Sequence, residues 1–171
     1  VSNIYQHGIM KIEGTIGGPA PLKIERSLFP SVTEPMTLEV IRVTNTGNTP
    51  ATVAMNRMLR RETTDPTRSK VSPHTVVVET DGGDSHTIKS GETMTFGIAY
   101  LITDHPERPS PVNLTAEQEA RETRIKEILQ PLQLVTPDSV LNTEFAFAKL
   151  RATESIFKTK IGYLHSPGGL E

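Results

Sequence analysis

The sequence lacks cysteine and tryptophan altogether, and only 5% of its 171 residues are aromatic. Without cysteine there can be no disulfide, no thiolate nucleophile and no cysteine-bound metal. The absence of cysteine does not determine the cellular compartment. The few aromatic side chains predict a core built from Val, Ile, Leu and Met. They also argue against a carbohydrate-binding module, which would need aromatic rings on which sugars can stack.

Long apolar runs and an excess of one charge are also missing. No stretch of about 18 apolar residues occurs, so we expect no membrane span and no membrane partner. The formal net charge is −2, from 18 basic and 20 acidic residues, which gives no electrostatic signature of nucleic-acid binding. The chain starts at Val1 without a basic and apolar leader, from which we expect a mature or trimmed start.

Alternation of apolar and polar residues with a period of two predicts β-strands as far as residue 103. The predicted strands cover residues 4–16, 22–29, 36–43, 51–59, 75–79, 85–88 and 93–103. In the third of these, apolar residues occur at both parities, which indicates either burial on both faces or a bulge. The last strand has the strongest alternation and is predicted to be central.

Clusters of Gly, Asn, Asp and Pro mark the turns between these strands. The segment Thr44–Pro50 predicts a hairpin between the third and fourth predicted strands, and Asp81–Asp84 predicts another between the fifth and sixth. The polar stretch 60–73 is predicted to be an exposed loop. The stretch 104–111, which holds three prolines, is predicted to be an exit linker.

A first helix is predicted after the exit linker. Thr115 and Gln118 match a capping box, in which two side chains satisfy the unpaired backbone N–H groups of a helix start. The helix is predicted over residues 116–130, and Pro131 ends it because proline cannot continue the backbone hydrogen bonding.

The second predicted helix, residues 137–157, is the most regular periodic segment of the chain. Thr136 is its predicted N-cap, Pro137 its first residue, and Gly162 a C-cap that follows two lysines, Lys158 and Lys160. Apolar residues at steps of three and four form one face, which we expect to be buried on the sandwich: Leu141, Phe145, Ala148, Ala152 and Ile156. Phe147, Leu150 and Phe157 are then left for a partner.

The order of these elements, a run of strands and then two helices, predicts a mainly β fold. We expect an antiparallel β-sandwich followed by two C-terminal helices, rather than a βαβ repeat. The length suits about one domain with an appended tail.

The sequence assigns no catalytic, cofactor-binding or metal-binding residue. The five histidines have no zinc-like spacing, so exposed loop positions are the better interpretation of His7, His74, His86, His105 and His165. Asp81 and Asp84 could bind calcium, but turn geometry explains them better. Arg57, Arg60 and Arg61 form a local basic cluster to which no role is assigned. Neither a phosphate-binding loop nor a G-x-S-x-G motif occurs.

The run TPDSVLNTEFAFAKL, from Thr136 to Leu150, resembles the linker of the six-hairpin glycosidases. This α/α-barrel superfamily includes glucoamylase-like, debranching-type and rhamnosidase-like enzymes. In it, such a segment joins an N-terminal β-supersandwich to the barrel. The continuation Ile161–Gly169 resembles the loop that leads into the first elements of the barrel.

The resemblance implies a supersandwich-like domain over residues 1–104, a helical linker region over 105–160 and the start of a catalytic barrel at 161–171. It implies a non-catalytic N-terminal domain of a larger bacterial glycoside hydrolase, whose partner is the barrel of the same polypeptide. The parent enzyme would act on a carbohydrate at carboxylates of the barrel loops. We therefore expect this chain alone to be inactive and without a cofactor. A periplasmic or extracellular location follows from the family alone.

Two alternatives stay open. A free-standing carbohydrate-binding or interaction module would need an aromatic-lined groove. A mutarotase-like sugar epimerase, which shares the supersandwich, would need histidine and carboxylate side chains that converge in a cleft. Glycan binding would support the first alternative, and faster equilibration of glucose anomers would support the second.

Overall fold

The computed structural model describes residues 1, 3–67, 73–103, 112–159 and 161–165. The chain divides into two compact units, residues 1–121 and residues 122–171. The boundary falls inside a helix, and the division into sandwich, linker and barrel start stays a prediction. The fold is mainly β, an antiparallel sandwich followed by two helices, as predicted.

The described residues of the first unit form nine strands. They are β1 (Asn3–Gln6), β2 (Met10–Ile16), β3 (Leu22–Pro30), β4 (Met36–Asn45), β5 (Ala51–Ala54), β6 (Leu59–Thr63), β7 (Thr75–Thr80), β8 (Ser85–Ile88) and β9 (Thr93–Thr103). Seven of them form one antiparallel sheet in the order β1-β2-β3-β4-β9-β7-β6. The other two, β5 and β8, pair with each other as a second sheet.

Strand β4 lies at the middle of the large sheet and is buried on both faces. Its pairing with β3 and β9 runs without interruption, so there is no bulge in this strand. Leu38 and Val40 are buried on one face, and Glu39 and Val43 on the other. Of the two predicted explanations for its apolar pattern, burial on both faces is confirmed. Strand β9 lies between β4 and β7, so its predicted interior position is confirmed as well.

The sheet of β5 and β8 covers part of one face of the large sheet. Val43 and Phe96 from the large sheet pack with Ala51 and Ile88 from the small sheet in a buried cluster. We call this side of the large sheet the β5–β8 face. The cluster is built from aliphatic residues and one phenylalanine, as the scarcity of aromatic residues predicted.

Both predicted hairpins are wrong, because each turn carries the chain from one sheet to the other. After Thr44–Pro50, strand β5 pairs with β8 and not with β4, and after Asp81–Asp84, strand β8 pairs with β5 and not with β7. The fully buried Asn45 fixes the first crossover. Its Nδ2 donates to the carbonyl oxygens of Thr49 (2.8 Å) and Ile88 (3.0 Å).

Three predicted strand boundaries also change. The strand predicted over 4–16 is two strands, because the chain turns at Gly8, whose φ of 79° suits glycine. The strand predicted over 51–59 ends at Ala54. The loop predicted over 60–73 contains most of β6, which pairs with β7 at the edge of the large sheet. Residues 68–72 and the exit linker 104–111 lie outside the described residues.

The first half of helix α1 (Leu114–Leu129) lies on the other face of the large sheet. A Cβ built on Gly97 of β9 would overlap the Leu114 side chain, and Arg42 of β4 donates to Gln118 at 3.1 Å. The N-cap is Asn113 rather than the predicted Thr115, since Asn113 Oδ1 accepts from the Ala116 N–H. We call this side of the sheet the α1 face.

The second unit contains the end of α1, helix α2 (Ser139–Glu154), and the antiparallel strands β10 (Ile156–Thr159) and β11 (Gly162–His165). Helix α2 is shorter than predicted at both ends. Asp138, rather than Thr136, is its N-cap, so Pro137 precedes the helix. Ser155 is the C-cap, and Gly162 lies in the β10–β11 hairpin with a φ of 129°.

Candidate interaction surface

The polar residues of the 136–150 motif build the start of α2. Asp138 Oδ1 accepts from the backbone N–H groups of Val140 (2.8 Å) and Leu141 (3.3 Å), two of the donors that a helix start leaves unpaired. Asn142 holds the backbone of Thr136 by two hydrogen bonds. Its Oδ1 accepts from the Thr136 N–H and its Nδ2 donates to the Thr136 carbonyl, both at 2.9 Å. The chain therefore enters α2 along a fixed path.

Lys149, the last polar residue of the motif, connects α2 to the end of α1. Its Nζ donates to the carbonyl oxygens of Leu129 (2.9 Å) and Leu132 (2.5 Å). Leu129 is the last residue of α1, so its carbonyl has no partner within the helix and carries part of the negative end of the helix dipole. The ammonium group of Lys149 supplies a hydrogen-bond donor to this carbonyl and a positive charge at the negative end of the dipole.

The covered face of α2 differs from the predicted one. Its one fully buried side chain is Leu150, which is 3% exposed. Asn142, Lys149 and Thr153 are half-buried on the same side, whereas the predicted face is mostly exposed, with Leu141 at 46%. The two faces lie about 100° apart around the helix. Leu150 is therefore not available to a partner, contrary to the prediction, and the side chain of Phe157 lies outside the described residues.

Large apolar side chains remain exposed throughout the second unit. On α2 these are Val140 (63%), Leu141 (46%) and Phe147 (38%), which we call the α2 apolar strip. Others lie in the segment between the helices and at the β10–β11 hairpin: Leu132, Val135, Ile156, Ile161, Tyr163 and Leu164. A two-stranded hairpin with exposed side chains is marginally stable alone in water, so this region has the features of a surface that another element covers.

A buried carboxylate lies on the β5–β8 face of the first unit. Glu39 is 1% exposed, accepts a charge-assisted hydrogen bond from Arg26 Nε, and lies 3.5 Å from the hydroxyl of Tyr100. The bond to Glu39 raises the pKa of the Arg26 guanidinium above its usual range. Burial, helped by the charge of Glu39, raises the pKa of the Tyr100 phenol. The ion pair neutralises a charge that would otherwise be buried alone.

The sequence contains a signal for this buried group that the predictions above did not use. Glu39 is a charged residue between Leu38 and Val40, in a strand whose apolar residues occupy both parities. Such a carboxylate must be buried on one face and needs a cationic partner on a neighbouring strand. The pairing of β3 with β4 supplies Arg26 on the same face.

Asp81, Asp84 and His86 do come together, in a small cleft. Its volume is about 110 Å³, and Met94, Thr95 and Phe96 also line it. Sites that bury a small organic molecule usually measure about 300–1,000 Å³, so the cleft is too small to enclose a sugar. Asp81 is also committed to the fold, because its Oδ1 accepts from the Gly97 N–H at 2.6 Å. This bond ties the start of the 81–84 turn to β9, so Asp81 has a structural role in the first unit.

The remaining histidines and the arginine cluster do not form a reactive site in the described structure. His165 Nε2 lies 2.9 Å from Ser155 Oγ, but that hydroxyl donates to the Ala152 carbonyl at 3.0 Å and so is not activated as a nucleophile. Arg60 and Arg61 point to opposite faces of β6, since successive strand residues alternate, and Arg60 pairs with Glu62. His105 lies outside the described residues.

The described residues contain neither a metal-binding cluster nor a membrane-spanning helix. Nowhere in these ranges do three histidine or acidic side chains lie close enough together to hold a metal ion. Neither described helix combines the length and the apolar character that a membrane-spanning helix needs. No family model and no curated protein matches the sequence.

Proposed function

We propose that this chain is a non-catalytic N-terminal region of a larger glycoside hydrolase, and that its second unit packs on an α/α-barrel of the same polypeptide. The observation that carries the proposal is the exposure of large apolar side chains in the unit that bears the linker motif. The carbohydrate substrate and the catalytic carboxylates would belong to the barrel.

The distribution of these side chains favours an interface. Nine of the sixteen exposed large apolar residues in the described structure lie in residues 122–171, although this unit is less than half as long as the first. Scattered apolar residues on a surface need no explanation, but a concentration of them in one small unit is typical of a region that a partner covers. A helical barrel offers such a partner, since helices pack through apolar stripes.

The motif supports the same conclusion in a second way. Its polar residues Asp138, Asn142 and Lys149 are used in local hydrogen bonds, which explains their presence without a partner. Its apolar residues Val140, Leu141 and Phe147 keep 63%, 46% and 38% of their surface exposed in the described chain. A partner surface would account for the exposed apolar residues. A linker that is ordered by its own hydrogen bonds and also binds a partner would account for the presence of both kinds of residue.

The two alternatives have less support. The cleft at Asp81, Asp84 and His86 contains the histidine and carboxylates that an epimerase needs, but about 110 Å³ is too little for a pyranose. A carbohydrate-binding module would need several aromatic rings on one face. On the β5–β8 face, Tyr100 is half-buried with its hydroxyl directed at Glu39. We expect the isolated chain neither to equilibrate anomers nor to bind glycans.

The first test is the coding sequence that follows residue 171. Several hundred further residues with repeated helical periodicity are expected, and a stop codon at this point would overturn the proposal. If the barrel is present, it can be expressed as a separate chain together with residues 1–171, and the complex can be measured by size-exclusion chromatography and calorimetry.

The second test changes the α2 apolar strip. Replacing Val140, Leu141 and Phe147 together by serine is expected to weaken binding of the barrel about 100-fold, because buried apolar anchors dominate such interfaces. The matched control replaces three exposed apolar residues of the first unit, Val32, Leu59 and Ile102, by serine. Equal binding by both triple variants would contradict the proposed interface.

A further inference from the structure

Lys149 contacts two separate parts of the backbone that precede α2. We infer that Lys149 is a positioning residue that fastens the end of α1, the segment 130–138 and α2 into one rigid bracket. The bracket follows from hydrogen bonds in this chain alone. Its role of presenting the α2 apolar strip to a barrel rests on the proposed function.

The geometry at Lys149 differs from that of an ordinary surface lysine. Lysine usually keeps its ammonium group solvated on a flexible stem. Here the side chain is half-buried, and two of its three donors are used by the carbonyls of Leu129 and Leu132. Breaking these contacts would leave the last carbonyl of α1 without this donor.

A second fastening lies on the same side of α2. Asn142 is seven residues before Lys149, two helical turns away, and it holds the backbone of Thr136 on both its N–H and carbonyl sides. The segment between the helices is thus tied to α2 near both of its ends. Leu150 is buried beside Lys149 and adds apolar packing on this face. A segment held at two points has little freedom to change the angle between the helices.

The absence of cysteine permits a direct measurement of the bracket. Cysteines introduced at the exposed positions Thr123 of α1 and Glu144 of α2 can carry spin labels without any other thiol in the chain. Pulsed electron resonance then gives the distribution of distances between the end of α1 and α2. A narrow distribution is expected in the otherwise unchanged chain.

Four variants separate positioning from general stability. Lys149→Met is expected to broaden the distribution at least twofold, and Lys149→Arg, which can also donate to two carbonyls, is expected to restore it. Lys126→Met, which removes an exposed lysine from the last turn of α1, is the control and should leave the width unchanged. Asn142→Ala is expected to broaden it less than Lys149→Met does. Retained far-UV circular dichroism shows that each variant is folded.

The outcomes distinguish this inference from the proposed function. A distribution that stays narrow in Lys149→Met would overturn the inference, whatever the barrel binds and whatever Asn142→Ala does. If the bracket is correct, Lys149→Met should also weaken barrel binding about tenfold while the α2 apolar strip is intact, because binding must then order the helices. A broadened distribution with unchanged barrel binding would retain the bracket and remove its role in docking.

Discussion

The two units of this chain stabilise themselves in opposite ways. In residues 1–121, apolar side chains are enclosed by two sheets and the first half of α1, and Leu38, Phe29 and Val77 are at most 2% exposed. Among the described residues after 121, Leu150 is the only fully buried apolar side chain, and most large apolar residues are exposed. The second unit relies instead on side-chain hydrogen bonds to the backbone, made by Asp138, Asn142 and Lys149.

This difference indicates which unit is complete by itself. Burial of apolar surface supplies most of the stability of a folded domain, whereas an individual hydrogen bond adds only about 1 kcal/mol net. The first unit has the core that independent folding requires. The second has well-defined local geometry but little apolar burial, which is the expected condition of an element that becomes fully stable on a partner.

The sharpest test of this comparison is the same truncation in each unit. Leu38→Ala removes a side chain that is 0% exposed and should lower the free energy of unfolding by about 3–5 kcal/mol through lost burial and a cavity. Leu141→Ala removes a side chain that is 46% exposed and should change it by less than about 0.5 kcal/mol. Urea denaturation followed by circular dichroism measures both.

The two leucines are chemically matched, so each variant controls for the other. A large loss from Leu141→Ala in the isolated chain would mean that α2 already buries its strip, and the contrast between the units would be wrong. A small loss from Leu38→Ala would mean that the core of the first unit is loosely packed.

A smaller loss of stability is expected from a substitution in the turn between β7 and β8, where the chain passes from one sheet to the other. A Cβ built on Gly82 would overlap the backbone carbonyl of Met55, which cannot move without shifting the β5–β8 sheet. Gly82→Ala should therefore destabilise the first unit by about 2–3 kcal/mol. Gly17→Ala is the control, because its Cβ would meet nothing within 4 Å, and it should be neutral or slightly stabilising. A neutral Gly82→Ala, measured by thermal unfolding, would show that the crossover tolerates movement.

The sequence predicted strands well and their partners poorly, for one physical reason. Alternation with a period of two is local, so β3 and β9 could be found from the chain itself. Turn residues predict that the chain reverses, but they do not determine which strand it then pairs with. The crossover after β4 depends on Asn45, which bonds to Ile88, 43 residues further along the chain.

In the linker motif, too, local features were predicted and features that depend on tertiary contacts were not. Both Thr136 and Asp138 suit an N-cap. In the structure the Thr136 hydroxyl lies 2.9 Å from Asn142 Oδ1, whereas Asp138 Oδ1 accepts from the N–H groups of the first turn and caps the helix. The buried face of α2 was predicted wrongly because apolar residues occur on more than one side of this helix. Periodicity favoured the side of Leu141, whereas the tertiary structure buries the side of Leu150. The Lys149 contacts could not be inferred from spacing.

The smallest expected effect concerns Tyr100, which lies beside the buried Glu39 in the first unit. It appears only at alkaline pH. Because burial and Glu39 raise the pKa of Tyr100 in the folded chain, the folded state binds this proton more tightly than the unfolded state, where tyrosine ionises near about pH 10. The stability that this proton contributes to the folded state is therefore fully present below about pH 10 and is lost as the pH rises through the folded pKa.

Absorbance at 295 nm should reveal a late-ionising tyrosine that Tyr100→Phe removes. Tyr163→Phe is the matched control in the second unit, because Tyr163 is 74% exposed and its loss should leave the late component in place. If the late component survives Tyr100→Phe, or disappears with Tyr163→Phe, the contrast between a buried polar group in the first unit and an exposed aromatic residue in the second is wrong.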